Sequence, residues 1–274
     1  MPAGPRVLIT GASSGIGAAL ARVYGRRGGR LVLAARRIDR LEALARQIAE
    51  TGGEAIAVAC DVCRDGDCER AVAAAVERFG GLDIAIANAG FGVTGRVDEL
   101  ALDDWRHQFE TNVYGVLRTS RAAYPALRAS RGRLAIMGSV MSHLAMAGAS
   151  PYGMSKAAVW SLAMSLRDEW RRDGVAVTLL SPGLVESDIR RTDNAGAVHD
   201  RASDPVPSWI VVGADRAARA MVRAIDRRAR ERVITVHGKA LVWLCRHAPW
   251  LIHAALRLSA AERRKRVAGD GIRS

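Results

Sequence analysis

The feature that most constrains this chain is a glycine turn between a short apolar run and a helical pattern. Arg6 to Thr10 reads RVLIT, Thr10 to Gly17 reads TGASSGIG, and helical spacing starts at Gly15. A strand that passes through such a turn straight into a helix builds an anion site. The glycines let the backbone approach a pyrophosphate, and the free N–H groups of the helix N-terminus meet its charge. The spacing, Gly11-x3-Gly15-x-Gly17, differs from the common GxGxxG, so the turn needs support from the rest of the chain.

Apolar runs rich in Val, Leu and Ile recur at Arg30 to Ala35, Glu54 to Cys60, Leu82 to Asn88, Gly132 to Ser139, Val175 to Ser181 and Arg232 to Gly238. Helical spacing fills the intervals at Gly15 to Arg27, Arg40 to Thr51, Asp65 to Phe79, Leu102 to Ala129, Pro151 to Arg172 and Ala214 to Arg230. Parallel strands require crossovers, and crossover helices cover both faces of the sheet. The alternation therefore predicts an α/β, doubly wound parallel sheet of about seven strands. Continuous apolar strands such as LDIAIA agree with burial on both faces. No repeat or Gly/Ser linker divides the chain, so residues 1–238 read as a single Rossmann-type domain and 239–274 as a C-terminal extension. Residues 186–212, with close-set Asp, Asn, Gly and Pro, read as a long loop of the kind that closes over substrates.

With 274 residues, 49% of them apolar, the chain can bury a full core without staples. Four cysteines are too few for a disulfide scaffold, and no signal peptide precedes them, which fits a reducing cytoplasm. Cys60, Cys63 and Cys68 have no fourth ligand nearby, so no metal site is expected. The net charge of +13 is uneven: Gly213 to Ser274 holds fifteen Lys and Arg against five Asp and Glu. Without a recognisable DNA or RNA motif or interleaved aromatics, this excess does not predict nucleic-acid binding.

Support for the glycine turn comes in sequence order. Asp61 and Val62 follow the third strand, Asn88-Ala89-Gly90 closes the fourth, and Asn112 sits in FETNVYG. Ser139 ends the fifth, Tyr152-x3-Lys156 opens the next helix, and Pro182-Gly183 ends the sixth. With TGASSGIG, this series resembles the short-chain dehydrogenase/reductase family over roughly Val7 to Asp188. The resemblance implies strand order 3-2-1-4-5-6-7, a nicotinamide cofactor and hydride transfer between it and a carbonyl or alcohol. It also implies a homodimer or homotetramer.

By the same resemblance, Tyr152 is the proton donor and acceptor, Ser139 binds the substrate oxygen, and Lys156 tunes Tyr152 and holds the nicotinamide ribose. Asn112 completes a relay through water to the lysine. The chemistry is consistent with these roles. Residues four apart share a helix face to within ~40°, and a free tyrosine, titrating near ~10, needs a neighbouring cation to act at neutral pH. Ser142, three residues after Ser139, is the rival hydroxyl. Gly11, Ser13, Ser14, Gly15, Ile16 and Gly17 would cradle the pyrophosphate. Asp61, Val62, Asn88, Ala89 and Gly90 would border the adenosine, and Pro182, Gly183, Val185 and Ser187 the carboxamide.

The second strand ends in Ala34-Ala35-Arg36-Arg37, without the acidic residue that binds a ribose 2′-hydroxyl. Arginine suits a 2′-phosphate, so NADP(H) is favoured over NAD(H), with Arg36 the first candidate and Arg37 either a second or a solvated side chain. Met141, Leu144, Met146 and Trp209 hint at a hydrophobic substrate. In the tail, Lys239, Arg246 and His253 are seven apart, Pro249 divides the helical pattern, and the longest apolar run, Ala240 to Cys245, is far short of the ~20 residues of a spanning helix. Two readings follow: packing on the protein itself, or peripheral contact with an anionic membrane helped by Arg263 to Arg266. A catalytically silent NADP-binding sensor is the alternative function, opposed by the intact Ser139, Tyr152 and Lys156.

Overall fold

The computed structural model describes residues 4–194, 196, 206–252 and 254. Seven parallel strands form one sheet: β1 (Arg6–Thr10), β2 (Arg30–Ala35), β3 (Glu54–Ala59), β4 (Ile84–Ala87), β5 (Arg133–Met137), β6 (Ala176–Ser181) and β7 (Glu231–Val233). Their order, β3-β2-β1-β4-β5-β6-β7, is the one expected. It puts a topological switch between β1 and β4, where a crevice opens at the carboxyl ends of the strands.

Alternate residues of each strand feed two separate cores, as a two-residue period requires. Val7 and Ile9 of β1, with Leu31 and Leu33 of β2, pack with α1 (Gly15–Gly25), α2 (Ile38–Glu50) and α7 (Ala214–Asp226). Leu8 and Val32 face the other way, into the layer of α3 (Asp67–Phe79), α5 (Gly115–Ser130) and α6 (Ser150–Glu169). All these strand residues are almost fully buried.

Two expected elements change. The helix predicted over Leu102 to Ala129 is divided into α4 (Leu102–Phe109) and α5 by a π-helical turn, Glu110–Tyr114, that holds Asn112. Such a turn inserts an extra residue and redirects the side chains beyond it, a change that 3.6-residue spacing does not reveal. The last strand is also shorter than predicted, because Thr235 caps a helix: its Oγ1 accepts the Gly238 N–H at 3.1 Å. Helix α8 therefore starts at Val236 and runs to His247. It breaks at Ala248, the residue before Pro249, as the steric restriction on pre-proline residues demands, and residues 249–252 are helical again. No described helix is long and apolar enough to cross a membrane. His253, Arg263 to Arg266, and residues 195 and 197–205 of the loop over 186–212, lie outside the described residues.

Candidate active site

The crevice at the switch point is a cleft of about 530 Å³. Its floor is the turn from β1 into α1. Gly11 has φ +66°, and a Cβ there would fall 2.8 Å from Ala89 Cα. A Cβ on Gly17 would fall 2.3 Å from the Gly11 carbonyl oxygen, so the first turn of α1 can lie on the loop only without a side chain. Thr10 fastens this loop to the next strand: its Oγ1 accepts the Asn88 N–H at 3.1 Å and the Ala89 N–H at 3.3 Å, and donates to Ile86 O. The Asn88 amide donates back to Thr10 O at 2.9 Å. Thr10 was not singled out from sequence, although its place at the strand end beside the glycines was the available signal.

The glycine loop, Asp61, Val62, Asn88-Ala89-Gly90, Ser139, Tyr152, Lys156, Pro182-Gly183, Val185 and Ser187 all line the cleft. Asn112 does not. It is wholly buried behind the wall, where its Oδ1 accepts the Phe91 N–H at 3.1 Å and its Nδ2 donates to Phe91 O at 2.9 Å and Ser155 Oγ at 3.2 Å. Gln108, one turn earlier, holds the same segment through Val93 N and Phe91 O. Both amides therefore act as struts for the chain after β4, and no hydrogen bond joins Asn112 to Lys156 among the described residues.

Ser139 follows β5 in extended conformation and caps a short 3-10 turn, Val140–Ser142, by accepting the Met141 N–H at 3.1 Å. The rival Ser142 is turned away, donating to Lys156 O at 2.9 Å. Tyr152 and Lys156 share one face of α6, with Lys156 Nζ 5.7 Å from the Tyr152 ring centre. Burial raises the Tyr152 pKa, while hydrogen bonding with Ser139 and the charge of Arg190 act against it. Lys156 is 4% exposed, and its ammonium group has one described hydrogen bond, from Nζ to Met137 O at 2.8 Å. Burial pushes its pKa down to about 8.

At the far end of the cleft stand Arg36, Arg37 and Arg40. Arg37 is not a solvated side chain. It is half-buried and donates to Ser13 Oγ at 3.2 and 3.0 Å and to Ser14 Oγ at 2.9 Å. Burial and the nearby charges of Arg40 and Arg36 hold its pKa below the ordinary value, so an anion here would be welcomed. Arg36, the candidate preferred from sequence, is the more exposed of the two. The cradle that only glycine can form, the helix N-terminus behind it and this cationic end fit a nicotinamide dinucleotide.

The other end is lined by Phe91, His107, Thr111, Ile189, Arg190 and Thr192, none of which was marked from sequence. They come from three separate segments, and only the fold brings them together. Met141, Leu144, Met146 and Trp209 do not line the cleft, and Trp209 is 84% exposed. Cys60, just after β3, and Cys68, in the first turn of α3, are buried, while Cys63 Sγ lies 3.3 Å from Thr111 Oγ1.

A family model described as short chain dehydrogenase matches residues 5–197. 11-beta-hydroxysteroid dehydrogenase A of Sesamum indicum is 36% identical over 235 residues, 83% of this chain and 67% of that protein. Serine 3-dehydrogenase of Agrobacterium fabrum is 34% identical over 199 residues, 72% of this chain and 78% of that protein. Among solved structures, a short-chain dehydrogenase/reductase from Burkholderia phymatum in complex with NAD has a TM-score of 0.78 at 28% identity, covering 88% of this chain and 92% of that one. A short-chain dehydrogenase from Sphingobium yanoikuyae in complex with NADPH has a TM-score of 0.74 at 29% identity, covering 94% and 95%. Sequence match, strand order and cleft agree: this chain is an oxidoreductase of the short-chain dehydrogenase family.

Proposed function

We propose that the protein is an NADP(H)-dependent reductase of an apolar carbonyl, or dehydrogenase of the corresponding alcohol. The observation that carries this is the meeting of Ser139 and Tyr152 in one cleft above the buried Lys156. When bound, the nicotinamide supplies or takes up the hydride. The chain supplies the rest. Tyr152 Oη gives the proton to the substrate oxygen, and Ser139 Oγ donates a hydrogen bond to that oxygen. The Lys156 ammonium, in a site of low dielectric, favours the phenolate left behind. One of its three donors is directed to Met137 O, which leaves two for ribose hydroxyls. Asn112 is a positioning residue that fixes the Phe91 segment.

The NADP preference rests on Arg36 and Arg37, with Arg40 beside them, and on the absence of an acidic residue at the end of β2. Solved relatives include complexes with either dinucleotide, so the arginines carry this part of the reading. Curated relatives are named for substrates as unlike as a steroid and serine. An apolar substrate is supported by Phe91 and Ile189, and by Gly92, whose missing side chain leaves space between the Tyr152 ring and Ile189. We further infer one catalytic domain over residues 1–238, assembled as a homodimer or homotetramer.

The test is consumption of NADPH and NADH by the purified protein over a panel of aliphatic, aromatic and steroidal carbonyls, with Tyr152→Phe in parallel. Turnover with NADPH that Tyr152→Phe loses, while still binding NADPH, is the expected result. Tight NADPH binding without turnover of any carbonyl would instead favour a sensor.

A further inference from the structure

We propose that the outer face of α8 docks on an anionic lipid surface. The helix packs inward through Gly238 and Val242, which are buried. Its opposite side sets Val236 and Trp243 seven residues apart on one stripe, and Trp250 follows beyond the break at Ala248; the three are 80%, 59% and 68% exposed. Among ring contacts, Trp243 leans only on His247, one turn further on. Lys239, Arg246 and His247 are exposed beside this stripe. Large apolar side chains aligned on one helix face mark an interaction surface, whereas scattered ones do not. Tryptophans interleaved with cations suit the boundary between acyl chains and anionic headgroups.

Charge selects the occupant. No acidic residue occurs from Val236 to Ala254, and Lys239 has no acidic partner among the described residues. A second copy packed on this face would set Lys239 near the same uncompensated cation, with no carboxylate of this segment to pair it. A nucleic acid would neutralise the cations yet leave Val236 and both tryptophans in water. An anionic bilayer satisfies both sets of groups, and the charge excess of residues 213–274 acts in the same direction.

Side chains of α8 also tie it to the loops that flank the cleft. His237 Nε2 accepts the Leu184 N–H at 3.1 Å, just after Pro182-Gly183. Arg246 donates to Glu231 at 2.8 Å, and the same carboxylate bonds His143, four residues after Ser139, at 2.8 Å. Docking would thus hold the cleft beside the bilayer. If the apolar-carbonyl reading is right, the substrate would be drawn from the lipid.

The test uses the full chain with sedimenting vesicles of phosphatidylcholine, alone or with one third phosphatidylglycerol. Retention on the anionic vesicles, little on the neutral ones, and a loss of at least about tenfold in the double variant Trp243→Ser/Trp250→Ser support the proposal, given the apolar area each tryptophan would bury. Both sites are exposed, so the variant should keep the wild-type melting temperature. Lys239→Glu is a second variant, expected to weaken anionic retention without changing NADPH binding. No retention of the wild type, or equal retention of the double variant, would overturn the proposal. So would sedimentation-velocity data in which the tryptophan substitutions dissolve an oligomer while leaving lipid binding unchanged. Because binding is read without turnover, failure here is distinguishable from failure of the reductase reading.

Discussion

Replacing Lys156 by methionine should make the ligand-free protein more tolerant of low pH relative to wild type, by an amount set by the burial of one ammonium group. Lys156 is almost inaccessible and has a carbonyl, not a carboxylate, as its described partner. Burial depresses its pKa from 10.5 to about 8. The sign follows from proton counting. Between those values the unfolded chain holds the proton more firmly than the folded one, so wild-type stability rises with pH through this window. At pH 7 folding bears the full cost, about 3 kcal/mol, and at pH 9.5 only about 1 kcal/mol of it remains. Lys156→Met has no such group, although it leaves Met137 O without a donor, a loss that does not depend on pH. The difference in unfolding free energy between variant and wild type should therefore fall by about 2 kcal/mol from pH 7 to 9.5. Urea unfolding of both proteins without cofactor, in half-unit steps of pH, measures this directly. A difference that stays flat would mean that Lys156 titrates as an ordinary lysine and that the site is wetter than its geometry implies.

Arg37→Ala should weaken NADPH binding by about 10- to 100-fold, the value of a charge-assisted bond, with NADH changed far less. Fluorescence titration with both dinucleotides checks this, and equal losses would point instead to a collapsed Ser13-Ser14 loop. Asn112→Ala should lower stability by about 1–3 kcal/mol by leaving the buried Phe91 N–H without a partner, while Phe91 O keeps its bond from Gln108. Thermal unfolding reads the loss, and a melting temperature within a degree of wild type would refute the strut assignment. Glu231, despite burial that would raise its pKa, is held down at about 2 by His143 and Arg246. Its contribution of about 3 kcal/mol is full above pH 4.5 and lost as pH falls towards 2. Glu231→Gln should therefore be less stable at neutral pH and flatter over that acid range, as acid titration of the fold followed by circular dichroism would show.

Much of the fold was legible in sequence because parallel strands buried on both faces must be continuously apolar. Arg6 to Thr10 and Arg30 to Ala35 show this directly, and both strands begin and end where their apolar runs do. The glycine turn was equally legible, since backbone contact at Gly11 and Gly17 admits no other residue and so leaves its mark in composition. Elements whose ends are set by individual hydrogen bonds were not legible. Periodicity could not reveal the π-turn at Asn112, and Thr235 ended the last strand by capping a helix.

By itself, then, the sequence determined the alternation of strands and helices, the phosphate-binding turn and the Ser139, Tyr152 and Lys156 series, because each is local in the chain or fixed to a strand end. Only the tertiary structure decided which of two serines faces the cleft, which arginine lies against Ser13 and Ser14, and that Asn112 supports the wall from behind. It also decided that Trp243 and Trp250 face outward. These outcomes depend on the direction of a side chain once distant segments pack together, and a side chain's direction is set by neighbours that spacing along the chain does not identify.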